Sequence, residues 1–137
     1  MTTTTAAPAP GTTTHDGVAL AGRVLLAAIF VLSGVSKLTG PAGAIAYIES
    51  AGLPLPQVAL AGAIVVELFG GLALIVGLRT RLVAGVLAVF TLVTAAVFHS
   101  ALGDQAQFIN FFKNIAMTGG LLQVVAFGPG RLSFDRR

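Results

Sequence analysis

Cysteine is absent from the 137 residues, and charge is scarce: five Asp+Glu and eight Lys+Arg. Without cysteine the chain by itself makes no disulfide, no thiolate metal site, no iron–sulfur cluster and no cysteine nucleophile. Charged residues amount to 9%, where a soluble domain carries about 25% to cover its surface. Hydrophobic residues reach 55%, and the mean hydropathy is +0.93. A small globule has too much surface to hide that much apolar material. A soluble monomer and a disordered chain are therefore both excluded, and lipid must solvate much of the surface.

The formal net charge is +3, but no basic face is interleaved with aromatics, so nucleic acid is not an expected partner. Five of the eight basic residues sit in one short loop and at the C-terminus: Arg79, Arg81, Arg131, Arg136 and Arg137. Such clusters flank membrane spans. Residues 1–17 are mostly Thr, Ala, Pro and Gly with no basic residue. They lack the positive start of a secretory signal and read as a disordered tail.

Four apolar stretches follow, at 18–38, 57–77, 82–102 and 108–127. At about 1.5 Å per residue each covers about 30 Å, the thickness of the hydrocarbon core. Backbone in lipid must satisfy its own hydrogen bonds, so these runs predict helices. The connections at 78–81 and 103–107 are short enough to force antiparallel hairpins. The longer piece 39–56 contains a Pro41-to-Gly52 stretch with a proline suited to a first turn and a glycine suited to a stop. It predicts a short interfacial helix over one mouth of the bundle. The expected fold is all-α: an integral membrane four-helix bundle, one four-span domain over 18–130, followed by a basic cytoplasmic tail at 131–137. An even span count puts both termini on the side of the 78–81 turn, and the positive-inside rule makes that side cytoplasmic.

Ionisable groups inside a span are costly and each needs a reason. Glu67 lies ten residues from either end of its stretch, about 15 Å deep. It must be protonated, paired or facing a wet cavity. Ranked by depth, Lys113 is its leading candidate partner. Lys37 and His99 sit near the outer mouth, and Arg23 lies toward the inner side. Gln107, Asn110, Lys113, Asn114 and Met117 recur at spacings of three and four, a polar stripe on one helix face. Arg23, Phe30, Gly34 and Lys37 fall near one face of the first stretch. Together these faces predict a polar seam along the bundle axis, read either as a structural ion pair or as a ligand or quinone-head site. A lone His99 is more often an anchor than a ligand, so no metal site is expected.

The order of Arg23, Phe30 and Ser33-Gly34-Val35-Ser36-Lys37-Leu38, then Tyr47-Ile48 and Gly52-Leu53-Pro54, then Glu67-Leu68-Phe69-Gly70-Gly71 and Leu78-Arg79-Thr80-Arg81, resembles the DoxX family of small four-helix membrane proteins. Phe98-His99, Phe112-Lys113-Asn114 and Gly119-Gly120 complete the pattern, over nearly all of 18–134. The resemblance implies a four-span bundle linked to redox chemistry; the Ala/Gly/Val-rich, Arg-over-Lys composition points to a bacterial source, and the inner (plasma) membrane is the expected location. Some relatives serve thiosulfate:quinone oxidoreduction, and one joins an oxidative-stress complex. By resemblance Arg23, Lys37, Glu67, His99, Lys113 and Asn114 occupy the family's polar positions.

The resulting expectation is an accessory subunit of a redox or oxidative-stress assembly, non-catalytic alone. It would hold a quinone or small sulfur species at the seam, or dock soluble redox enzymes through the basic turn and tail. It has no intrinsic cofactor, and a homo-oligomer is a candidate assembly. A small transporter or permease and a ligand-free membrane scaffold are the alternatives.

Overall fold

The computed structural model describes Thr3 and residues 14–135, and among these it is all-helical with no strand. Helix α1 runs Thr14–Thr39, α2 Pro41–Ser50, α3 Pro56–Ile64, α4 Gly70–Val76, α5 Thr80–Phe98 and α6 Gln105–Phe127. A π-helical turn, Val65–Phe69, joins α3 to α4, so Pro56–Val76 is one continuous helix with a widened turn at its middle.

The boundaries follow from local chemistry. Pro41 and Pro56 open α2 and α3, where a missing N–H is harmless. Gly77 (φ 75°) ends α4 in the left-handed region, and Asp104 caps α6 by accepting from Ala106 N (2.9 Å) and Gln107 N (3.2 Å).

The expected stretches shift at their ends. The tail expected over 1–17 lies outside the described residues, except for Thr3 and for 14–17, which are the first turn of α1. There Asp16 is buried and accepts from the Arg131 backbone N–H, and a carboxylate suits a helix start. The third stretch ends at Phe98, short of its expected limit at 102, because the chain turns through Ser100–Asp104 before the Asp104 cap. His99 therefore sits just past the helix instead of within it.

Three helices are long and apolar enough to cross a membrane: Thr14–Thr39, Pro56–Val76 and Thr80–Phe98. Less than a third of each is buried within the protein. Leu25, Val58, Phe69 and Val89 are all largely exposed, an apolar surface that water would not tolerate and lipid solvates. The fourth expected span, α6, has the length, but Gln107, Asn110, Lys113, Asn114 and Gln123 make it less apolar. Length and composition alone do not mark it as a span.

The core is a cluster of Ala27, Phe30, Leu74, Ala84, Leu87, Ala88 and Leu121, drawn from α1, α4, α5 and α6. Close approach depends on small residues. A Cβ at Gly34 would lie 3.1 Å from the Leu68 backbone N, and one at Gly71 would lie 3.2 Å from Val31 N. These two glycines seat α1 against the π turn and α4, and that seating sets the level at which α1 side chains meet Glu67.

Candidate functional site

The two ends of the molecule use their polar residues differently. At the end carrying the α4–α5 turn, Arg23 is 1% exposed. Its Nη1 donates to the carbonyls of Leu74 (3.1 Å) and Ile75 (3.3 Å), and its Nη2 to that of Leu132. Only its Nε lacks a hydrogen-bond partner among the described residues. The chain after α6 folds back over this end: Phe134 N donates to Val76 O (3.1 Å) and Asp135 N to Gly77 O (3.0 Å). The Asp135 carboxylate then accepts from the Thr80 hydroxyl (2.6 Å), Thr80 N (2.5 Å) and Arg79 N (2.8 Å). These bonds, the Thr80 hydroxyl first, hold its carboxyl below the usual carboxylate range. They also fix Arg79, a non-glycine residue at φ 46°. Arg23, expected in the polar seam, is instead consumed in this latch, because the α1 turn that carries it lies beside the carbonyl ends of α4. Residues 131–135 of the expected tail are part of the latch, while Arg136 and Arg137 lie outside the described residues.

At the opposite end a cavity of about 570 Å³ opens between α1, α2, the second long helix, α5 and α6. Its walls arise from helical periodicity. Phe30, Ser33 and Lys37 recur on one face of α1; Thr91, Thr94 and Phe98 on one face of α5; Asn110, Lys113, Asn114 and Met117 on one face of α6. Five of the six sequence-predicted residues line it: Lys37, Glu67, His99, Lys113 and Asn114.

Their bonding is asymmetric. Lys37 Nζ donates to both Glu67 oxygens, at 3.1 and 2.9 Å, and Glu67 is 6% exposed. The expected leading partner of Glu67 was Lys113; the structure gives it Lys37, because Gly34 on Leu68 brings the last turn of α1 level with the π turn. The two groups form an ion pair across α1 and the π turn. Asn114 Nδ2 donates to Thr91 O (3.3 Å) and Thr94 Oγ1 (3.2 Å), tying α6 to α5. His99 Nδ1 lies 2.9 Å from Gln107 Oε1. That oxygen only accepts, so Nδ1 is the donor in this pair. Lys113 makes no hydrogen bond or ion pair among the described residues.

Sequence reasoning missed three features. Tyr47 on α2 stacks on Phe98 (5.1 Å, 16°) and closes part of the mouth. Glu67 sits in the π turn, a geometry that is rare in helices and frequent at functional sites. Asp135 acts as the cap of a helix that begins 55 residues earlier. The Gly-Gly pair after Glu67 hinted at close packing, but no local signal announces a π turn or a distant cap.

The DoxX family model matches residues 18–100. Over 125 residues the chain is 39% identical to inner membrane protein YqjF of Escherichia coli K12, covering 89% of this chain and 92% of that protein. It is 34% identical over 123 residues to inner membrane protein YphA of the same organism, covering 86% and 88%. A shorter similarity, 41% over 75 residues and about half of each chain, is to a Bacillus subtilis 168 protein named "Putative oxidoreductase CatD". No solved structure matches. The chain belongs to the DoxX family and is a membrane protein.

Proposed function

We propose that this DoxX-family chain is a four-span subunit of a redox assembly that holds a small amphipathic ligand, of quinone or small sulfur-species type, in the cavity under α2. The observation that carries the reading is the convergence of Lys37, Glu67, His99, Lys113 and Asn114 on one otherwise apolar cavity. Ligand sites have this composition: apolar walls and a few placed polar groups. The name of the Bacillus relative supports the redox setting. The protein supplies binding and orientation, and the ligand or a partner carries the electrons. In this reading α6 is the fourth span, its polar stripe turned to the cavity and α5 and its apolar side to lipid. Arg79, Arg81 and Arg131 support, through the positive-inside rule, an orientation with the latch end and both termini on the cytoplasmic side. Soluble redox enzymes would dock there.

The Lys37–Glu67 pair favours a second reading, a membrane scaffold whose ion pair fixes helix packing and binds nothing. A permease has less support, since Glu67 is already neutralised by its partner.

Native mass spectrometry of gently extracted protein separates these readings. Ala63→Trp fills the cavity without removing a polar group. A quinone-sized mass carried by the wild type and absent from Ala63→Trp is the expected result. No small-molecule mass in either protein, with a soluble enzyme retained by both, overturns the ligand reading in favour of the scaffold.

A further inference from the structure

We infer that the cavity ligand is an amphipathic anion: one apolar chain or ring system with a singly charged acidic head seated at Lys113. The inference rests on the cavity being a ligand site; within that reading it assigns an anionic head in place of a neutral quinone head.

The argument is a charge balance. The fully charged side chains on the cavity wall are Lys37, Glu67 and Lys113. Lys37 and Glu67 cancel through a two-oxygen ion pair. One positive charge, Lys113, remains without a partner among the described residues. The other two carboxylates toward this end do not supply the missing charge. Asp104 is occupied capping α6, and Glu49 is exposed on α2 and is not part of the cavity wall. Lys113 is exposed where it lines the cavity, so its ammonium can stay hydrated without a protein partner and is accessible to an anion whose apolar body enters the cavity.

The shape of the wall defines the rest of the ligand. Ile29, Phe30, Ala59, Phe90, Val93 and Met117 offer only apolar contact, so the body of the ligand is apolar. His99, with Nδ1 engaged by Gln107, can in its neutral form accept through Nε2 from a hydroxyl on the same ligand. The head is a carboxylate, phosphate or comparable oxyanion, because Lys113 presents only donors.

The sequence supplies the reporter. Tyr47 is the single tyrosine and there is no tryptophan, and Tyr47 lines the cavity. Its fluorescence in full-length protein, in a neutral maltoside detergent, reports occupancy directly. The probes are dodecanoate and its neutral analogue dodecanol, each titrated into wild type, Lys113→Met and Lys113→Arg. Comparing the ratio of the two affinities across proteins cancels unequal partitioning into detergent. The expected result is a preference for dodecanoate of about tenfold in wild type, in keeping with one charge-assisted hydrogen bond. The preference is lost in Lys113→Met and kept in Lys113→Arg.

Equal binding of both probes to wild type overturns the charge assignment and leaves the ligand cavity standing. Binding of neither probe overturns both. A dodecanoate preference unchanged in Lys113→Met also overturns the assignment. A further arm distinguishes the source of the anion. If phosphatidylglycerol in phosphatidylcholine nanodiscs reproduces the Tyr47 response, the head belongs to a membrane lipid; if only dodecanoate does, it belongs to a free amphiphile.

Discussion

Arg23 and Lys113 are both cations on apolar helices, one at each end of the molecule, and the chain treats them in opposite ways. Arg23 is buried, and three backbone carbonyls from two distant segments accept its protons. Lys113 is exposed on a cavity wall and meets no partner among the described residues. The first end is closed by the protein itself; the second carries an open cavity. The contrast teaches that polar residues in a span cannot be read as one class. Their roles separate only when their partners are known.

The comparison breaks first at its extremes. Arg23→Met strands carbonyls of Leu74, Ile75 and Leu132 and removes the anchor of the folded-back segment. The expected loss is about 3 kcal/mol or more, from several unsatisfied buried acceptors. Lys113→Met replaces an exposed side chain with no hydrogen bond or ion pair to a described residue, and should change stability by less than about 0.5 kcal/mol. Unfolding in mixed detergent micelles measures both, and similar losses for the two variants would erase the distinction between the ends.

The Lys37–Glu67 pair gives a smaller effect of a different form. Lys37→Met or Glu67→Gln alone leaves one member facing apolar walls. Each should cost about 2 kcal/mol, reduced from the fully buried case because Lys37 is partly exposed. The double variant should cost less than the sum of the singles, as coupled partners do. Strict additivity in the same unfolding assay would mean the pair is not coupled.

The smallest effect concerns the latch and pH. The Asp135 carboxyl is held below its ordinary value. A depressed pKa contributes stability that is fully present above the unfolded value, about 3.9, and is lost as pH falls through the folded value. Wild type should therefore lose stability as pH drops below about 4, beyond the loss seen for Asp135→Ala, which lacks this group throughout. Parallel acid titrations of the two proteins, followed by thermal melting, check it; superimposable curves would remove Asp135 from the latch.

Much of this architecture was legible in the sequence. The lengths of the apolar runs marked the long helices, and Pro41 and Gly52 marked α2 to within two residues. The stripe from Gln107 to Met117 announced the polar face of α6, and Asn110, Lys113, Asn114 and Met117 do line the cavity. Partner choice was not legible. Depth along separate helices ranked Lys113 above Lys37 for Glu67, because a count of residues assumes that all helices begin at one level. They do not: Gly34 seats on Leu68, and α1 ends beside the middle of its neighbour. Arg23 was grouped with Lys37 because both fall near one face of α1, yet they are 14 residues apart, about 21 Å along a helix, and belong to different ends.

By itself the sequence determined the class of solvent, the helical backbone and the faces that carry polar groups. Those properties depend on composition and on periods of a few residues. The tertiary structure alone decided that Lys37 neutralises Glu67, that Asp135 caps α5, that Arg23 anchors the chain end and that Lys113 has no partner among the described residues. Each of these depends on the offset and rotation of one helix against another, which close contacts at Gly34 and Gly71 set, and no local pattern encodes such an offset.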